Sequence, residues 1–193
     1  MQLGDVAEVQ MGYPFRSRVE HDPKGAIAVV QMKDMDDENR VHVERAIRVG
    51  LPPGKDRHLL RAGDLLFRSR GRSIGAAFVA EGIGPSVLAA PMLLIRPHKV
   101  LPAYLCWYLN APVTQDQLSA LSEGTSVRMI SAEALKALDV PLPTPAAQQR
   151  IVEAAALADQ EQSLMARIAA LRQRLTDHIL MKNVHLSAKR ATS

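Results

Sequence analysis

The chain has 193 residues, 47% of them hydrophobic, a net charge of +4 and a pI ≈ 9.5. That is enough apolar material for a buried core, and a charge that permits an anionic partner without requiring one. The single cysteine, Cys106, excludes an intrachain disulfide. No run approaches the ~18 apolar residues of a membrane span, and "MQLGDVAEVQ" has no apolar signal core, so a cytoplasmic protein is expected.

Taken in order, residues 1–146 read as short strands bounded by Gly and Pro. The candidate strands are "AIAVVQM" (26–32), "HVERAIRV" (42–49), "DLLFRS" (64–69), "AAFVAEG" (76–82) and "PMLLIRP" (91–97). Before the first of them, "YPFRSR" (13–18) sets Tyr13 and Phe15 beside Arg16 and Arg18, with Phe15 a candidate for the core. "QMKDMDD" places Lys33 among three acids, which suggests a structural ion pair. In "GDLLFRSRGRS", Arg68, Arg70 and Arg72 alternate. If the strand continues, they form a row on one face. Such a row can grip phosphates, read guanine edges, or merely solvate a sheet edge.

Two helices are expected next. "LPAYLCWYLNAP" has Pro102 in its first turn and Pro112 beyond its end, with Cys106, Trp107 and Tyr108 read as core. "SAEALKALDV" has Ser131 as its cap. Between them, "EGTSVRMIS" offers Thr125, Ser126 and Arg128 as phosphate donors, or a simple helix-entry turn; the two roles are compatible.

After "VPLPTPAAQQR" the texture changes. Residues 146–182 lack glycine and proline and are rich in helix formers. Leu157, Leu164, Ile168, Leu171 and Leu175 fall at heptad spacing, interrupted by Glu161 and His178. Such a rod of ~35 residues spans roughly 50 Å. It either packs back on its own sheet or pairs with another helix. The expected division is a recognition domain at 1–146, a spacer and dimerisation helix at 147–182, and a flexible tail at 183–193. The fold class is α+β: a mixed or antiparallel sheet with short helices, then a long coiled-coil-type helix.

No catalytic constellation is visible. "GLPPGKD" (50–56) is too short between its glycines for a phosphate loop and has Asp56 where Ser or Thr is needed. The six histidines are isolated, without metal-ligand spacing. Neither a nucleophile elbow nor a dinucleotide fingerprint occurs. No catalytic and no metal-binding residues are assigned.

The ordered set "LGDVAEVQMGYPF", "VVQMKDMDD", "LLRAGDLLFRSRG", "LPAYLCWYLNAP" and "EGTSVRMISAEALKALDVPLPTPAAQQRIV", followed by a long helix, resembles one half of a DNA-specificity subunit of Type I restriction-modification systems. The resemblance covers essentially the whole chain. It implies a non-enzymatic subunit that binds one half of a bipartite double-stranded DNA site. The expected contacts are Arg16, Arg18, Arg68, Arg70, Arg72, Thr125, Ser126 and Arg128. It implies partners too: a methyltransferase (modification) subunit that carries the S-adenosylmethionine chemistry, and a possible restriction or translocase subunit. This chain itself needs no cofactor. A usual member has two recognition domains and two long helices; one of each implies a homodimer through the helix seam. The rival reading is a truncated regulatory protein that binds the modification subunit without reading DNA. A third is a recognition domain cut from a fused methyltransferase-nuclease.

Overall fold

The computed structural model describes residues 1–15, 19–50, 58–71, 73–122 and 129–191, with side chains to residue 182. It divides into two units, residues 1–149 and 150–193.

The first unit is built on two sheets. Strands β1 (Ala7–Met11), β7 (Leu93–Pro97), β4 (Leu65–Arg68) and β5 (Gly75–Phe78) form an antiparallel sheet in that order. Strands β3 (Ile47–Val49), β2 (Ile27–Val30) and β6 (Ser86–Leu88) form a second, in which β2 and β3 run antiparallel and β2 and β6 parallel. The sheets share one core: Val30 and Leu88 of the second pack with Leu66, Ala77 and Leu94 of the first. With Leu66 facing that core, Leu65 and Phe67 face the other side of the sheet. All four residues of β4 are buried. Cover on both faces explains why "LLFR" reads as a continuous run rather than an alternation. Val29, Val49 and Val87 form a second cluster, with Phe15 and Leu59 against it.

The five expected strands are present with shifted or shortened ends, and the start of "HVERAIRV" forms a 3₁₀ turn at Val43–Arg45 before β3. Two strands were not foreseen. In β1, Ala7 and Val9 are buried and Glu8 is exposed, so its "AEVQM" alternates as a half-buried edge does. β6 is only three residues long.

Helix α1 (Leu3–Val6) buries Leu3 and Val6 and is tied to the later chain by Leu3 N–H donating to the Leu138 carbonyl (2.8 Å). Helix α2 (Pro102–Asn110) packs on β5. Pro112 does not merely end α2; it opens α3 (Pro112–Ala120) at a position where a missing N–H costs nothing. Helix α4 (Ala132–Lys136) starts at Ser131, whose hydroxyl accepts from Ala134 N–H (3.1 Å), the cap expected from the sequence. Trp107, expected in the core, is 39% exposed, whereas Tyr104 is buried and donates its hydroxyl to the Pro141 carbonyl (2.9 Å). Burial pushes the Cys106 thiol up to about 12, which leaves it an inert filler.

Helix α5 (Pro145–Ala191) follows the proline connector. Thr144 Oγ1 accepts from Ala147 N–H (3.3 Å), with Pro145 in the first turn. Gln148 is buried; its amide donates to the Pro143 carbonyl (2.8 Å) and accepts from Leu101 N–H (2.8 Å). These bonds hold the first turn of α5 within the first unit, past the expected boundary at 146. At 47 residues the helix is ~70 Å long and runs through most of the stretch expected to be tail.

In the second unit the seam side chains are exposed: Leu157 66%, Leu164 52%, Ile168 48%, Leu171 53% and Leu175 60%. Ile179, half exposed, continues the stripe where His178 interrupts the strict heptad. Among the described residues no helix is long and apolar enough to cross a membrane.

Candidate nucleic-acid interface

The turn between β4 and β5 is held at its base and open at its tip. Ser69 is buried and donates its hydroxyl to the Pro91 carbonyl (3.0 Å), while its own carbonyl accepts from Ile130 N–H (2.8 Å). Arg70 pairs through its backbone with Met129, and its side chain is exposed. Among the described residues no acid lies within ion-pair distance of it. Gly71 follows with φ +113°, a left-handed backbone that only glycine adopts readily. Beside this turn a groove of ≈ 380 Å³ is lined by Val9, Met11, Leu93, Met129 and Ile130. Met11 and Met129 are exposed.

Arg68 and Arg70 do not share one strand face. The strand ends at Arg68, so its two-residue period does not carry on to Arg70. Arg68, expected as a DNA contact, is only 7% exposed and faces inward. Its Nη2 donates to the carbonyls of Met35 and Asp36, and its Nη1 to Ser73 Oγ. Asp37 is 3.8 Å away but almost fully exposed, so that ion pair adds little. Among the described residues, Nε of Arg68 is buried without a partner. Six of the expected contacts, Arg16, Arg18, Arg72, Thr125, Ser126 and Arg128, lie outside the described residues, as do residues 51–56 of the rejected phosphate loop.

The acidic segment that captures Arg68 is itself pinned. Gln31 N–H donates to Asp34 Oδ2 (2.9 Å), and Asp34 is buried. Asn39 turns the chain at φ +59°, a conformation that asparagine tolerates. Its amide donates to Asn110 Oδ1 (3.2 Å). Asn110 also accepts from Ala76 N–H (2.9 Å) and donates to the Ala76 carbonyl (2.7 Å), so one side chain stands in for a strand at the free edge of β5. A Cβ on Gly75 would lie 2.4 Å from Asn39 Oδ1; glycine is what lets the two segments touch. The expected ion pair at Lys33 is not formed: Lys33 is exposed, with no described acid in reach.

His42 closes the segment. Its Nε2 lies 2.9 Å from Asp36 Oδ2 and its Nδ1 3.2 Å from Glu44 Oε1. The bond to Asp36 raises the imidazole pKa, with partial desolvation opposing it. Asp36 is lowered chiefly by the backbone N–H of Arg40 and then by His42.

Tyr13 lies edge-on to Phe15 (4.8 Å) and to His58 (5.2 Å). Phe15 packs against the Val29–Val87 cluster, which settles it as a packing residue. Sequence reasoning missed Asn39, Asn110 and the pair Asp64–Arg96. In that pair Arg96 Nε and Nη2 donate to the two Asp64 oxygens, each at 2.7 Å. The signal at Asn39 was the turn-forming "DDEN"; Asn110 and Arg96 had none, because their partners are distant in the chain. Among the described residues no group of His, Cys, Asp or Glu is arranged to hold a metal.

The comparisons with known proteins agree with this architecture. The HsdS subunit from Thermoanaerobacter tengcongensis is similar, with 23% identity over 86% of this chain and 38% of that one, at a TM-score of 0.63. A chain from a structure on complex assembly and conformational transition of the type I R-M system has 21% identity, covers 88% and 40%, and gives 0.68. The Type-I restriction-modification S subunit from M. genitalium has 13% identity, covers 92% and 43%, and gives 0.58. This chain thus spans about two fifths of the length of the structures it matches. No curated protein matches it. The family model for the Type I restriction modification DNA specificity domain matches residues 1–168, the whole sheet domain and the first half of α5. The chain belongs to that family, whose specificity subunits recognise DNA and do not catalyse.

Proposed function

We propose that this chain reads one half of a bipartite duplex site and is joined to a second reading head through α5. A second copy of the chain supplies that head. A methyltransferase subunit docks on the assembly and carries the S-adenosylmethionine chemistry, and a restriction subunit is a further candidate partner. Arg70, exposed at the turn after β4, is proposed as a DNA contact. Arg16, Arg18, Arg72, Thr125, Ser126 and Arg128 stay in the proposal as phosphate or base contacts. Arg68 is not proposed as a direct contact, because it is buried and its Nη1 and Nη2 donate internally.

The observation that carries the reading is the apolar stripe on α5, from Leu157 to Leu175, left exposed in a chain whose sheet domain is of the DNA-specificity family. Contiguous apolar side chains at heptad spacing are stabilised by burial against another helix. Two half-sites one turn of duplex apart are separated by about 34–36 Å, which a helix of ~70 Å can bridge.

The test is a salt titration of duplex DNA binding by the full chain, alone and with its methyltransferase subunit. Each phosphate neutralised adds about 0.9 to the log–log salt slope. A slope of several is expected. A flat response, with the methyltransferase present, would refute DNA reading.

A further inference from the structure

Resting on that proposed function, we infer that Arg68 is a positioning residue for DNA recognition. It straps the acidic segment 35–39 to the turn that carries Arg70, and so sets where Arg70 meets the duplex.

Two side chains, Arg68 and Asn39, tie these two segments together. The Arg68 guanidinium reaches the Met35 and Asp36 carbonyls on one side and Ser73 Oγ on the other. Ser73 lies on the far limb of the turn, so one side chain spans the turn and fastens it to the segment. Asn39 contacts Gly75, at the start of β5, where a Cβ would not fit. Asn39 also reaches Asn110, whose amide holds Ala76. Both ends of the turn, at Arg68 and at Gly75–Ala76, are thereby fixed to the same segment.

The energetics favour a geometric role. A buried cation answered mainly by neutral carbonyls, with Nε unpaired among the described residues, is a poor way to gain stability. A planar fork with donors at fixed angles is a good way to fix a distance between segments more than thirty residues apart. Arg70 needs such a fixed base, because bidentate contact with a guanine edge depends on placement as well as charge. Lysine at position 68 keeps the charge but cannot make the fork.

The experiment compares full-length wild type with Arg68→Lys, Asn39→Gly and Arg70→Ala. Duplexes are first enriched from a random pool by the wild type. Each protein is then titrated against the best duplex and a scrambled one over a range of salt, and folding is checked by thermal melting. Arg70→Ala is expected to lower the salt slope by about 0.9, the loss of one phosphate contact, or to lose preference for the best duplex if Arg70 reads a base. Arg68→Lys is expected to reproduce the effect of Arg70→Ala: a lower slope if Arg70 grips a phosphate, or a best-to-scrambled affinity ratio cut by about tenfold, the scale of one misplaced base contact, if it reads a base. Asn39→Gly keeps the left-handed turn and loses the amide bond, so it should show the same pattern in milder form. If Arg68→Lys fails to fold, Asn39→Gly decides. A variant that keeps both slope and ratio at wild-type values, or that changes only the quantity Arg70→Ala leaves intact, overturns the inference. Absence of salt-dependent binding by the wild type refutes the proposed function instead, and the inference falls with it.

Discussion

The stripe on α5 yields the most quantitative expectation. The perturbation is the triple change Leu164→Gln, Ile168→Gln and Leu171→Gln; glutamine keeps helix propensity close to that of leucine. These side chains are 48–53% exposed. Pairing can therefore bury about half of each, or roughly 1 kcal/mol per side chain, taking full burial as 1.5–3 kcal/mol. A symmetric pair contains six such side chains, so the triple change should weaken association by ~6 kcal/mol, about four powers of ten in Kd at 1.4 kcal/mol per decade. Sedimentation velocity across a micromolar range reads this directly, with circular dichroism confirming that the helix persists. The wild type should sediment as a dimer and the variant as a folded monomer. An unchanged mass for the variant, or a monomeric wild type, would show that the stripe does not pair copies of the chain.

Two further expectations concern the sheet domain. Asp64 is buried and accepts both nitrogens of an Arg96 fork, so Asp64→Ala leaves a largely buried guanidinium without its acid. The loss should be ~2–4 kcal/mol, somewhat below a fully buried pair because Arg96 keeps some solvent contact. Trp107, the chain's one tryptophan, sits in α2, so its fluorescence in urea reports this unit separately from the rod; a loss under about 1 kcal/mol would contradict the assignment. At His42, a raised folded pKa means that its stabilising contribution is present below the ordinary imidazole value and is lost as pH rises through the folded one. Asp36 and Glu44 are lowered, so theirs is present above the carboxylate range and is lost on acidification. The acidic segment should thus be firmest between those limits. Arg45 works against the charged imidazole, so the shift is a balance. An NMR titration of the His42 ring should give a pKa above about 6.5 that falls in Asp36→Asn; a value at or below 6.5 in the wild type would refute the contact.

How much of this was legible depended on whether the relevant partner was local. The absence of glycine and proline after 145, with leucines at heptad spacing, announces α5 and its stripe without any tertiary information. β4 and β7 are visible because burial on both faces leaves unbroken apolar runs. β1 escaped notice because "AEVQM" mixes its buried and exposed positions in so short a segment. Pro112 was read only as a stop, although a proline suits the first turn of a new helix equally well. Arg68 shows the deeper limit. Strand periodicity assigns a face only while the strand lasts, and here it ends at Arg68 itself. What captures the guanidinium is a pair of carbonyls at 35 and 36, and no local pattern encodes that contact. Asn110 substitutes for a strand partner of Ala76 for the same reason.

The central claim is that a specificity-family head reads one half-site and α5 joins it to a second head. Enrichment of random-sequence duplexes by the full chain with its methyltransferase subunit tests it most directly. The account predicts two short conserved blocks related by two-fold symmetry and separated by a constant gap. A single block, blocks at variable spacing, or no enrichment would contradict it.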